Sequence, residues 1–145
     1  MGEGELMDSL QVKVKTLDLE NVVKFLGFRK DIPELLNISD VAILVSYQEG
    51  LPVFGLESIA SGLPFITTDI RGSQDLVDNY QNGIKIKPDD IDATVSAMQY
   101  MLTNKDHLKE MGENSKKMAL QYDEAVILID KTEKIYSASI EFIKI

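Results

Sequence analysis

Two glutamates, Glu49 and Glu57, stand eight positions apart in QEGLPVFGLESIASGLPFITTDIRG, the stretch from Gln48 to Gly72. A carboxylate beside a helix start can receive hydroxyl donors, and the free amides of that start can receive an anion, so the pattern suits a phosphate or a sugar. Gly50 and Gly55 relax the backbone, and Pro52 fits a first-turn position. Glu49 precedes the expected helix and Glu57 lies within it, so the two address different parts of one extended ligand, Glu49 at its reactive end. The same residues also have a purely structural reading, because a glutamate near a helix N-terminus is favoured by the helix dipole alone. A pair of acids can also bind metal. With one histidine in the chain, His107 on a polar helix, and no local DxD cluster, a dedicated metal site is not expected, and His107 reads as a surface residue.

Such a loop needs a frame to position it. VVKFLGF (Val22–Phe28), VAILVS (Val41–Ser46), PFITT (Pro64–Thr68) and GIKIKP (Gly83–Pro88) are short apolar runs bounded by turn residues, and they read as four strands. The last alternates Ile84 and Ile86 with Lys85 and Lys87, as a half-exposed edge would. Leu6, Leu10, Val14 and Leu17 recur at helical intervals, and Asp31 is placed to cap a short helix with Pro33 in its first turn. A helix from about Val53 turns Leu56, Ile59 and Ala60 inward and ends at Gly62, and a short helix follows from about Ser73. Beyond Pro88 three helical stripes appear: Ile91, Val95, Met98 and Leu102; Leu108, Met111 and Met118; and Val126, Ile129, Tyr136 and Ile140. Asp89 or Asp90 caps the first of these and Asp123 the last. The alternation of strand and helix predicts an α/β fold, a three-layer Rossmann-like parallel sheet. In such sheets ligands sit beyond the carboxyl ends of the strands, where the Ser46–Gly55 loop lies.

The chain of 145 residues suits one domain, and 44% hydrophobic with 27% charged residues is a globular balance. Fifteen Lys and Arg against 24 Asp and Glu give a net charge of −9, which argues against nonspecific nucleic-acid binding. It does not argue against a small anion, since local amides can hold a phosphate inside an acidic protein. No apolar run is long enough to span a bilayer, the first residues carry no export signal, and there is no cysteine.

EGLPVFGLE (Glu49–Glu57) resembles the E-x7-E motif of retaining nucleotide-sugar glycosyltransferases of the GT-B fold, the group 1 or GT4 family. ESIASGLPFITTDIRGSQDLV resembles the family's EAMA-GLPV-ATD-GG-ELV stretch. VVKFLGF resembles its V-FLG strand, SDVAILVS its ADV-VLPS strand, and NGIKIKPDD the segment that follows. Several spaced motifs together are more specific than any one, and they cover nearly all of Gly2 to about Leu102. The resemblance implies transfer of a hexose from a nucleoside diphosphate sugar to an acceptor hydroxyl with retention, with no cofactor besides the donor. It makes Glu49 the contact at the donor sugar, and so the catalytic candidate, and Glu57 the acceptor of the ribose hydroxyls. Gly50, Leu51, Pro52, Val53 and Phe54 form the diphosphate loop, although Pro52 has no N–H to offer and EGLP replaces the family's EGFG. Phe28 and Arg29 match the region that holds the nucleobase, chiefly by backbone.

Gly2, Glu3 and Gly4 resemble the turn after the second strand of the donor-binding domain. The resemblance therefore implies a C-terminal half-domain of a GT-B fold lacking its first two strands, with the N-terminal acceptor domain absent. Strands one and two lie between three and four in a doubly wound sheet, so a gap is expected between VVKFLGF and VAILVS. Direct pairing, a shifted helix, or self-association through exposed sheet edges would fill it. The isolated chain is expected to be inactive, the parent enzyme being cytoplasmic and placed at the inner membrane face. Two alternatives stand beside this reading: a non-catalytic nucleotide-sugar-binding or assembly fragment, and a fragment of a GT-B nucleotide-sugar epimerase.

Overall fold

The computed structural model describes residues 4–123, and the third helical stripe, Val126 to Ile140, lies outside them. The chain divides into two units, residues 1–35 and 36–145. The first holds helix α1 (Met7–Thr16) and most of α2 (Ile32–Asn37). The periodicity of Leu6, Leu10, Val14 and Leu17 does mark a helix, but no residue of α1 is buried. Pro33 occupies the first turn of α2 as its fixed φ allows. The side chain expected to cap it, Asp31, is engaged elsewhere.

VVKFLGF does not form the expected strand. After turn hydrogen bonds from the Val22 and Val23 amides to the Leu19 carbonyl, the segment runs without a ladder, with Gly27 at φ 61° and Val22 and Phe28 well exposed. Strand structure depends on a hydrogen-bonded neighbour, which no β-branched run can supply for itself.

The second unit is a three-stranded parallel sheet in the order β1 (Ala42–Leu44), β2 (Phe65–Thr68), β3 (Gly83–Ile86), flanked by helices. Ile43 pairs with Ile66 and Ile66 with Ile84, which fixes which side chains share a face. On one face Ile66, Ile84 and Ile86 pack with Ala97 and Met101 of α4 (Ile91–Thr103) and Met111 of α5 (Lys105–Ala119). On the other, Phe65 lies beneath α3 (Val53–Ala60), its ring edge-on to Phe54 with centroids 6.5 Å apart. Gly55 of α3 makes this approach feasible, since a Cβ there would lie 2.7 Å from Leu76 Cδ1 and 3.1 Å from the Phe65 ring. Its role is therefore space, not the backbone freedom that the sequence suggested. Ile59 is fully buried and Leu56 half-buried, but Ala60 faces outward, and Ser58 takes the inward place instead.

The fourth helix also departs from expectation. Ile91 and Leu102 are 75% and 70% exposed, Val95 and Met98 about half, so the larger stripe faces out. Ala97 and Met101 are buried and Ala93 partly so, because they lie on the side of α4 that packs against the sheet, where the two alanines let the helix come close and Met101 fills the remaining space. Asp90 caps α4, its Oδ1 accepting from the Ala93 amide at 2.8 Å. The second stripe is inward as read, with Met111 fully buried and Leu108 and Met118 partly so. His107 is more than a surface residue: it is half-buried, with Nδ1 2.8 Å from the Tyr100 hydroxyl.

The sheet is closed at its lower end by α5. The Ser115 hydroxyl, fully buried, donates to the carbonyls of Leu63 and Asn82, the residues leading into β2 and β3, at 2.7 and 3.2 Å. Gly112 lies so near that a Cβ there would stand 2.4 Å from the Gly62 carbonyl oxygen. Asn82 in turn folds the turn before β3, accepting from the Asp78 amide at 2.6 Å and donating to the Leu76 carbonyl at 2.9 Å. Lys85 of β3 is half-buried between two buried isoleucines, as expected of an edge. At the opposite edge, among the described residues, β1 pairs with β2 and the expected direct pairing with VVKFLGF is not formed.

Candidate functional site

Three loops emerge at the carboxyl ends of the strands, and polar side chains tie them together. Thr68, the last residue of β2, donates its hydroxyl to the Ser46 carbonyl at 2.6 Å and accepts from the Ser46 amide at 3.1 Å. Ser46 begins the loop that carries Glu49. Buried Ser73 donates to the Thr68 carbonyl at 2.8 Å and so anchors the following loop to the same strand end. The Tyr47 hydroxyl donates to Asp89, joining the first loop to the turn after β3, where Asp89 itself adopts φ 62°. That carboxylate raises the Tyr47 pKa, because it holds the phenolic proton and disfavours a second negative charge.

The Glu49 loop ends at Pro52, which stands at the N-cap of α3 rather than inside its first turn, with φ −71° and ψ 115°. No side chain caps this helix and no acid lies in its first turn. Its first intrahelical bond runs from the Leu56 amide to the Pro52 carbonyl, which leaves the amides of Val53, Phe54 and Gly55 without intrahelical acceptors. These amides and the helix dipole make a local positive end in an acidic protein. Glu49 and Glu57 are both half-buried beside it. Among the described residues neither carboxylate has a hydrogen-bond or ion-pair partner, so both keep their acceptor capacity. Gly50, Leu51 and Val53 are exposed, Phe54 is half-buried, and Pro52 is buried.

The structure thus brings Glu49, Gly50, Leu51, Pro52, Val53, Phe54 and Glu57 into one loop and helix of the second unit. Phe28 and Arg29 belong to the first. Arg29 is held by Asp31 through both Nε (2.8 Å) and Nη2 (2.5 Å), a bidentate pair. This hydrogen bonding lowers the Asp31 pKa and raises that of Arg29. The pair occupies Nε–H and one Nη2 hydrogen of Arg29 and leaves its other guanidinium donors without a partner among the described residues.

A cleft of about 270 Å³ opens at the same end of the sheet but on the α4 side, lined by Val45, Ser46, Thr68, Lys87 and Thr94 among others. Neither Glu49 nor Glu57 lines it. Among the described residues no group of three or more His, Asp or Glu could hold a metal ion, and no helix is long and apolar enough to cross a membrane.

Reading the sequence did not single out Thr68, Ser73 or Gly72. Gly72 has φ 96°, and a Cβ built on it would lie 1.6 Å from the Gly50 carbonyl oxygen and 2.7 Å from that of Glu49. The RGS turn after TTD was the available signal, but its partner lies 22 residues away.

Parallel α/β units place their loops and helix starts together at the carboxyl ends of the strands, and here that end carries an uncapped helix start with Glu49 before it and Glu57 within the helix. The model of the family described as glycosyl transferases group 1 matches residues 1–118, and the chain belongs to that family. It is 35% identical over 137 residues to the UDP-Gal:alpha-D-GlcNAc-diphosphoundecaprenol alpha-1,3-galactosyltransferase of Escherichia coli, covering 94% of this chain and 35% of that protein. Among solved structures it resembles Anabaena HepE in complex with UDP-glucose, with TM-score 0.79 and 26% identity over 95% of this chain and 39% of the other. It also shares its fold with the C-terminal domain of a group 1 family protein from Francisella tularensis, with TM-score 0.70 and 18% identity over 82% of this chain and 64% of that one. The chain spans about a third of the length of the curated relatives it matches.

Proposed function

We propose that this chain is the donor-binding part of a retaining GT4 glycosyltransferase of the GT-B fold, an enzyme that transfers a hexose from a nucleoside diphosphate sugar to an acceptor hydroxyl. The observation that carries the reading is the uncapped α3 start with Glu49 before it and Glu57 within the helix, neither carboxylate partnered among the described residues. The diphosphate lies against the amides of Val53, Phe54 and Gly55, Glu57 accepts from the ribose hydroxyls, and Glu49 meets the sugar. In the first unit, Phe28 and Arg29 are the candidates for a backbone contact to the base. As the glycosyl bond breaks, charge grows on the departing diphosphate, and the α3 dipole opposes that charge best when water is excluded. Fold likeness to the Francisella C-terminal domain and family membership support the placement as a C-terminal domain. The complexed Anabaena structure supports a uridine nucleotide as the probe.

The test is titration of the ¹⁵N-labelled chain with UDP and UDP-glucose. Amide shifts in the Glu49–Glu57 region are expected, with a Kd on the order of millimolar, equivalent to about −4 kcal/mol. Glu57→Gln should weaken both ligands about tenfold. Unchanged spectra at tens of millimolar UDP would remove the donor site. The 145-residue chain by itself is proposed to transfer no sugar, and steady turnover of labelled UDP-glucose would contradict that. The outer edge of β1, with Val45 and Ile43 exposed, is in addition a template for self-association. Light scattering that shows only monomer at every concentration would exclude it.

A further inference from the structure

We infer that Gly72 is a positioning residue for the donor loop: it acts through the main chain of Glu49 and Gly50, and its lack of a side chain sets where Glu49 stands. The inference rests on the donor-site reading above. Three observations converge on it. The loop that bears Gly72 is fixed from below, since the Asp69 amide donates to the Ile86 carbonyl at 2.7 Å and buried Ser73 donates to the Thr68 carbonyl. The Glu49 loop is fixed at its root through the paired Thr68 and Ser46 bonds. Between these two anchored segments the contact is closed, because a Cβ at Gly72 would stand 1.6 Å from the Gly50 oxygen, 2.7 Å from the Gly50 carbonyl carbon and 2.7 Å from the Glu49 oxygen.

The obstacle is backbone, which cannot swing aside as a side-chain end can. Restoring an ordinary carbon–oxygen separation of about 3.3 Å requires the two loops to part by roughly 1.5–2 Å. Displacements of about 1 Å in a reacting geometry can cost about a hundredfold in rate, so a methyl group here would act on the site without touching a ligand. The positive φ of Gly72 adds strain for any L side chain. Strain alone does not account for the effect, and Gly62 separates the two. It has φ 79° in the same unit, but a Cβ there meets chiefly the flexible Lys116 side chain.

The experiment compares amide spectra of the wild-type 145-residue chain with Gly72→Ala, Ser73→Ala and Gly62→Ala, free and with UDP. Gly72→Ala should move the free-state resonances of Glu49, Gly50 and Leu51 while those of β3 and α5 stay in place, and should weaken UDP at least tenfold. Gly62→Ala should leave the Glu49 and Gly50 resonances at their wild-type positions. Gly72→Ala with wild-type Glu49 and Gly50 resonances overturns the inference. If that variant does not fold, Ser73→Ala decides: it adds no atoms but frees the Gly72 loop, so Gly50 should shift or broaden, and an unchanged Gly50 signal overturns the inference equally. A wild-type chain that binds no UDP defeats the donor-site reading instead, and the free-state spectra still judge the contact between the loops.

Discussion

Asn82 offers a sharp test of how the sheet is held in register. Its buried side chain accepts from the Asp78 amide and donates to the Leu76 carbonyl, while its own carbonyl receives the Phe65 amide and the Ser115 hydroxyl. Asn82→Ala keeps the main-chain bonds and removes the two side-chain ones. The Leu76 carbonyl, fully enclosed, then lacks a partner at a cost of about 1–3 kcal/mol, and the partly buried Asp78 amide, which water can reach, loses about 0.5–1.5 kcal/mol. The sum is roughly 1.5–4.5 kcal/mol, which at a urea m-value of about 2 kcal/mol/M moves the unfolding midpoint down by about 0.8–2.2 M. Asn82→Asp refines the test. It retains the acceptor for Asp78 but sets a second oxygen where Nδ2 stood, 2.9 Å from the Leu76 oxygen. With two acceptors facing each other in a buried place, the charged form is disfavoured and the carboxyl pKa rises above its unfolded value of about 3.9. By linkage, the difference from wild type is smallest below the unfolded pKa, where the carboxyl is protonated and donates to Leu76, and grows as pH rises through the folded pKa. Paired urea titrations at pH 4 and pH 7, followed by circular dichroism, read both effects. An Ala variant within about 0.5 kcal/mol of wild type, or an Asp variant whose deficit shrinks as pH rises, would refute the reasoning.

Two more outcomes follow from the geometry. Ala for Gly inside a helix ordinarily stabilises by about 1 kcal/mol, yet Gly112→Ala should lower the Tm, because its methyl would stand 2.4 Å from the Gly62 oxygen and overpacking costs about 1–3 kcal/mol; an unchanged or higher Tm would show that α3 and α5 do not meet so closely. Asp31 should titrate below the usual carboxylate range in a carbon-detected NMR titration and return to it in Arg29→Ala, since the bidentate guanidinium favours the charged form. The stability this pair contributes is present above the unfolded pKa of Asp31 and fades as pH falls through the folded one; an ordinary midpoint in wild type would contradict the pairing.

What could be read from the sequence followed the range of the forces involved. FITT and GIKI declare themselves as strands, because β-branched residues between turn residues are a local signal and β2 and β3 supply each other's ladders. VVKFLGF carries the same signal, but a ladder needs a second strand, and the apolar run says nothing about whether one is at hand. On α4 two apolar stripes share one helix. Size favoured Ile91, Val95, Met98 and Leu102, whereas the side that meets the sheet carries Ala93 and Ala97, which allow close approach, and Met101. The Glu49–Glu57 loop was legible because its acids, proline and helix start are contiguous. Its restraints were not: Thr68, Ser73 and Gly72 reach it across the fold, and only coordinates show that a methyl group at one glycine would collide with the oxygen of another.

The seal that α5 places across the lower end of the sheet, through Ser115 and Gly112, separates two kinds of selection. Substitutions there change how firmly the unit holds together, whereas under the proposed function substitutions in the loops above change what it recognises. A scaffold so divided keeps its folding seam at the end of the sheet opposite the loops, so the two ends are free to vary separately. Gly72 is an exception among the upper residues, since there the tolerance for change is set by a neighbouring main chain, and drift at that position is closed off whatever ligand the loops come to prefer.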